Sequence, residues 1–73
     1  MKPSRYEFRV RGRLAERLLS SFEGFDAEIQ PVETILSGEV ADQAALHGVL
    51  ERIESLGLEL LEVRRVEDAR PEH

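Results

Sequence analysis

The feature that most restricts this chain is a repeated change in the spacing of its apolar residues. In "YEFRVRG", Tyr6, Phe8 and Val10 alternate with Glu7, Arg9 and Arg11, the period of a half-buried strand. Gly12 closes that stretch. Leu14, Leu18 and Phe22, with Ala15 and Leu19 beside them, then form one stripe at helical spacing. Gly24 holds the place of a left-handed residue just past a helix, and Phe25 the place that folds back on Leu19 in a Schellman ending. The spacing predicts a first helix over about 14 to 23.

The same rhythm recurs. "FDAEIQ" alternates, with Phe25, Ala27 and Ile29 on one face, and Pro31 makes it an edge strand or a strand end. "VETILSGEV" is a third strand, with Thr34, Leu36, Gly38 and Val40 on one side and Ile35, Ser37 and Glu39 on the other. The gap between these two strands is too short for a crossover, so they form a hairpin near Pro31–Glu33. Asp42 is placed to cap a second helix, whose buried face is Leu46, Val49, Leu50, Ile53 and Leu56. Gly57 and Leu58 repeat the Schellman pattern. In "LELLEVRRV" the apolar residues fall on both parities, Leu58 and Leu60 and then Leu61 and Val63, which requires either a bulge or two covered faces. The order is βαββαβ. Right-handed crossovers then place both helices on one face of a four-stranded antiparallel sheet, an α+β ferredoxin-like plait. The expected boundaries are a flexible N-terminus over 1–4, one domain over 5–66 and a flexible polar tail over 67–73.

Seventy-three residues bury only ~60% of the unfolded surface, so a core of this size is marginal without help. The chain has no cysteine, hence no disulfide and no thiolate metal site, and its two histidines do not make a closed zinc site alone. No metal site, cofactor or catalytic set is expected. Self-association is the remaining source of stability. No stretch suits a signal peptide and no run approaches ~18 apolar residues, so the expectation is a cytoplasmic protein with no membrane partner. A net charge of −5 argues against nucleic acid, whose phosphates need Lys and Arg to neutralise them.

The sheet face left uncovered by helices would carry Glu7, Arg9 and Arg11 centrally, Glu28 and Gln30 on one flank, and Ile35 with Leu61 and Val63, or with Leu60, elsewhere. That mixture suits a second copy. Twofold dimers are the commonest oligomers, and the fourth strand, an edge in this plait, is apolar for an exposed edge. A homodimer through the open face or that edge is the first expectation, and another protein on the same surface is its rival.

Arg11, Gly12 and Arg13 form a possible anion contact, because a glycine between strand and helix can present helix N-terminal amides. The loop is loosely similar to the phosphate cradle of acylphosphatases, but the chain has no asparagine to orient water and lacks the second loop glycine of that family. Metallochaperones of this fold need a CxxC, which is absent. RNA-recognition motifs need aromatics on the open face, whereas Tyr6 and Phe8 share parity with the core residue Val10. Regulatory domains of the ACT type use a glycine at this turn, and Gly12 is compatible with a small-ligand role of that kind.

On the second helix, Gly48 projects about 200° from Leu46, away from the core, with Ala44 and Ser55 on the same outward strip. Glycine inside a helix costs roughly 1 kcal/mol against alanine, so this strip is a candidate groove for a partner. His47 falls near 100°, at the boundary of the buried face, one turn before Glu51. A general base would need a pocket and a second partner, and none is legible. His47 is read as a surface residue beside Glu51, and the two join Ala44, Gly48 and Ser55 in the candidate partner surface of this helix.

With "RVRGRLAERLLSSFEG" followed by "DQAALHGVLERIESLGLELLEV", the chain resembles small uncharacterised actinobacterial proteins that carry a VRGRL block near the start and a DQAALHG block at the second helix. The resemblance covers about Arg5 to Val66. It implies a bacterial cytoplasmic origin and a free-standing module, and transfers no activity. Ala15 stands where a serine cap is expected in such relatives. The chain is expected to be a non-enzymatic module that dimerises or binds protein. A small-ligand regulatory domain is second and an enzyme third.

Overall fold

The alternation of the first strand becomes a sheet with two chemically different faces. A computed structural model describes residues 3–66 and shows β1 (Ser4–Arg11), α1 (Glu16–Leu19), β2 (Asp26–Ile29), β3 (Glu33–Val40), α2 (Gln43–Ser55) and β4 (Leu60–Val66). The four strands form one sheet in the order β2-β3-β1-β4, with each neighbouring pair antiparallel. Directly opposed residues share a face. Phe8 therefore shares one with Leu36 and Val63, and Arg9 shares the other with Ile35 and Glu62.

The Phe8 face carries the core. Phe8, Val10, Leu36 and Val40 are buried there together with Leu14, Phe22 and Ile53, so both helical segments lie against this side. Each large side chain fully removed from water contributes about 1.5–3 kcal/mol relative to an exposed one. Phe8, Leu36 and Ile53 are the largest fully buried side chains.

α2 forms where local signals place it. The Asp42 carboxylate accepts from the Ala45 N–H at 2.8 Å, which satisfies an otherwise orphaned amide of the first turn. At the other end the Leu58 N–H donates to Ile53 O at 3.1 Å and the Gly57 N–H to Glu54 O at 3.0 Å. With Gly57 at φ 75°, this is the full Schellman pattern.

The first helix is shorter than its spacing predicts. Only Glu16–Leu19 is α-helical, and single turns carry the chain on through Ser21→Leu18 and Phe22→Leu19 backbone bonds. Ala15 occupies the cap position and provides no side-chain acceptor. Gly24 does adopt a left-handed φ of 86°, but the Phe25 N–H bonds to Phe22 O, a tight turn instead of a Schellman ending. Phe25 turns towards the sheet, where its ring lies 5.9 Å from that of Phe8. There it covers Gly38, and a Cβ on Gly38 would stand 2.9 Å from the ring, so no larger residue fits without displacing it.

The mixed parity of the fourth strand is a bulge. The register shifts between Arg9 and Val10, which face Glu62 and Leu60, and leaves Leu61 as the extra residue. The hairpin is where it was expected, closed by the Gln30 N–H on Glu33 O at 2.8 Å. β1 begins at Ser4, one residue inside the segment expected to precede the domain. The rest of that segment, apart from Pro3, and the 67–73 tail lie outside the described residues.

Candidate interaction surface

Because β1 alternates and its arginines all fall on one parity, the face away from the helices becomes a field of long charged arms. Arg9 is held between two acids, at 2.6 Å from Glu33 on the β3 side and 3.3 Å from Glu62 on β4. Arg64 on β4 reaches Glu7 at 3.1 Å, Arg11 reaches Glu59 at 2.8 Å, and Arg5 spans β3 to Asp26 at 3.3 Å. The exposed pairs among these contribute about 0–1 kcal/mol each, and Arg9–Glu33 is part-buried. Their geometric effect is larger. Ile35 lies on this face opposite Arg9 and Glu28, yet only 8% of it is accessible. Ile35, expected on a partner surface, therefore offers little accessible area of its own on this face.

The edge of the sheet is different. On β4, Leu60, Leu61 and Val63 remain 38%, 42% and 37% exposed. Val63 sits opposite Phe8 and Leu60 opposite Val10, at the margin of the helix side, but neither belongs to the buried cluster or to the apolar residues packed on it. The other edge, β2, is only four residues long and is followed by Pro31, which blunts it. An apolar, seven-residue edge is thus confined to β4.

The outward strip of α2 is also on the surface: Ala44, His47, Gly48, Glu51 and Ser55 are all exposed. His47 and Glu51 do not pair with each other among the described residues. Gly48 does line a groove of about 240 Å³, but the groove lies between α2 and the end of the first helical segment. Its α2 side is Ala45, Gly48, Val49 and Arg52, so Ala44 and Ser55 stand outside it. Arg52 closes over this gap by donating from Nη1 to Ser21 O. A Cβ on Gly48 would meet nothing within 4 Å, so no internal contact demands glycine there.

At the loop after β1, the amides of Gly12 and Leu14 are engaged within the chain. The Gly12 N–H donates to Val32 O at 2.7 Å, and the Leu14 N–H to Thr34 Oγ1 at 3.2 Å. Thr34, fully buried, in turn donates to Gly12 O at 2.8 Å and so staples the loop to the sheet. Arg11 is turned to Glu59, and Arg13 is exposed. Thr34 carried no functional signal in the sequence beyond its place in an alternating strand; a hydroxyl at an inward position was the only hint. Among the described residues, no group of three or more acidic, histidine or cysteine side chains is placed to hold a metal ion. No helix there is long and apolar enough to cross a membrane.

Sheet, helices and surface define a small α+β domain with a four-stranded antiparallel sheet, two helices against one face and an ion-paired second face. The chain belongs to the family described as Domain of unknown function (DUF8691), whose model matches residues 5–64. No curated protein and no solved structure matches it.

Proposed function

We propose that the protein is a non-enzymatic module on a ferredoxin-like plait that works by associating with a second copy of itself, or with another protein, through the β4 edge. The observation that carries this reading is the exposed apolar row of Leu60, Leu61 and Val63 on a strand with one side unpaired among the described residues. Such an edge invites another strand unless it is covered. The element order βαββαβ and the strand order β2-β3-β1-β4 support the plait. The ion pairs over Ile35 favour the edge above the open face as the contact. A bacterial, cytoplasmic setting rests on the VRGRL and DQAALHG blocks and the absence of cysteine.

A small-ligand role at Arg11, Gly12 and Arg13 has less support, because the Gly12 and Leu14 amides are already bonded to Val32 and Thr34. An enzyme has less still, since His47 is exposed on α2 and has no partner among the described residues. Light scattering at micromolar concentration tests the homodimer. A particle of twice the 8.3 kDa chain mass is expected, and a mass of one chain across that range would leave only a foreign partner.

A further inference from the structure

The bonds around β1 determine which backbone groups β4 leaves free. The Arg11 N–H donates across to Glu59 O at 2.9 Å on the β4 side, and the Gly12 N–H donates to Val32 O on the β3 side. Successive residues of a strand direct their N–H and C=O groups to opposite sides. Arg9 and Glu7 therefore address β4, and their partners Glu62 and Arg64 address β1. Val63 and Arg65 then point their N–H and C=O away from the sheet, where another strand can meet them.

We infer that a second copy of this chain pairs antiparallel with β4 about a twofold axis at Val63, joining two sheets into one of eight strands. The inference rests on the homodimer reading above and specifies its register. Val63 is the midpoint of Leu60–Val66, so this register opposes the two strands over their whole length. Its amide and carbonyl can exchange two bonds with the partner's Val63, the closed pair of an antiparallel ladder. Glu62 comes to stand opposite the partner's Arg64, and by symmetry Arg64 opposite the partner's Glu62.

Charge excludes the neighbouring registers. Moving the axis by one residue sets Glu62 against the partner's Glu62, or Arg64 against the partner's Arg64, and like charges directly opposed are destabilising. Moving it by two leaves less than half of the strand paired. At Val63 the ladder of the open face simply continues across the axis, from Glu33 to Arg9 to Glu62, then to the partner's Arg64 and the partner's Glu7. On the helix side, Val63 packs against the partner's Val63, and the exposed Leu61 comes opposite the partner's Arg65, whose aliphatic stem can cover it. The bulge at Leu61 lies outside the central Glu62–Arg64 segment and leaves it regular.

The test uses Glu62→Arg and Arg64→Glu on the full chain, measured singly and mixed, with circular dichroism to show that each folds. Each variant alone opposes two like-charged pairs at the axis and should weaken association roughly tenfold or more, giving single-chain masses where the wild type is a dimer. An equimolar mixture restores both unlike pairs, so native mass spectrometry should find the mixed dimer. A monomeric wild type overturns this register and the homodimer reading together. A dimeric wild type whose two variants also dimerise, or whose variants fail to combine, overturns the register alone. Should either variant not fold, Val63→Cys in this cysteine-free chain answers the same question. Opposed Cα atoms of such a pair lie about 5.5 Å apart, within disulfide range. Oxidation should give a covalent dimer there but not from an Ile29→Cys control on the β2 edge, and equal cross-linking of the two would overturn the axis at Val63.

Discussion

The two β-α-β halves of this protein have the same rhythm and different sources of order. In the second half, α2 runs thirteen residues with an aspartate cap and a glycine ending that it supplies from its own sequence. In the first, α1 is one turn without a side-chain cap, and distant residues hold its flanks. Thr34 clamps the loop before it, Arg52 donates to Ser21 O behind it, and Phe22 is buried in the core beneath. A helix of one turn is below the length at which local propensity sustains itself. The first half is thus ordered by the sheet and by α2, whereas α2 needs mainly its own ends and one apolar face.

Replacing the clamp should break this contrast most sharply. Thr34→Val keeps the shape and removes the hydroxyl that serves both Leu14 N–H and Gly12 O, leaving a buried donor and a part-buried acceptor without it. An unsatisfied buried group costs about 1–3 kcal/mol, so urea unfolding should shift by that amount. Amide exchange should rise at Leu14 and through α1 and stay near wild type in the middle of α2. Uniform acceleration across both helices would mean that the two halves are one unit and that the contrast is only geometric.

The same division decides what could be read in advance. The caps of α2 are legible because Asp42, Gly57 and Leu58 act on backbone groups within a few residues of themselves. The bulge was legible only as one of two alternatives, since Leu60 followed by Leu61 and Val63 breaks a two-residue period and fits a bulge or two covered faces equally; the register decides for the bulge. The brevity of α1 was not, because its apolar stripe is equally suited to a longer helix and only Phe25, settling on Gly38, shows where the chain must turn. The candidate surface divides likewise. An apolar fourth strand could be seen, but neither the burial of Ile35 nor the meeting of Arg9 with Glu33 and Glu62 could, because both are set by strand register and not by spacing along the chain.

A smaller effect is expected from the second half when its own signal is removed. Asp42→Ala deletes the acceptor for the Ala45 N–H on the surface, where water can replace part of it. Loss of such a cap costs about 1 kcal/mol. The damage should stay local: faster exchange at Ala45 and its neighbours, with the Schellman end at Gly57 unaffected. If Thr34→Val and Asp42→Ala prove equally costly and equally spread, local capping matters as much to α2 as tertiary clamping does to α1.

Gly48 offers the mildest change, and one of opposite sign. It lies in the middle of α2, exposed, with a normal helical φ and nothing within 4 Å of where a Cβ would stand. Gly48→Ala should therefore stabilise the chain, by up to about 1 kcal/mol, through helix propensity and a less flexible unfolded state. Urea unfolding measures the gain, and light scattering shows whether association changes with it. Association through β4 predicts an unchanged mass, because Gly48 borders the groove beside Ser21–Phe25, whose lining includes no residue of β4. A variant that is more stable and yet dissociates would instead place a neighbour's backbone against the Ala45–Arg52 groove, and would move the contact from the sheet edge to the helix that orders itself.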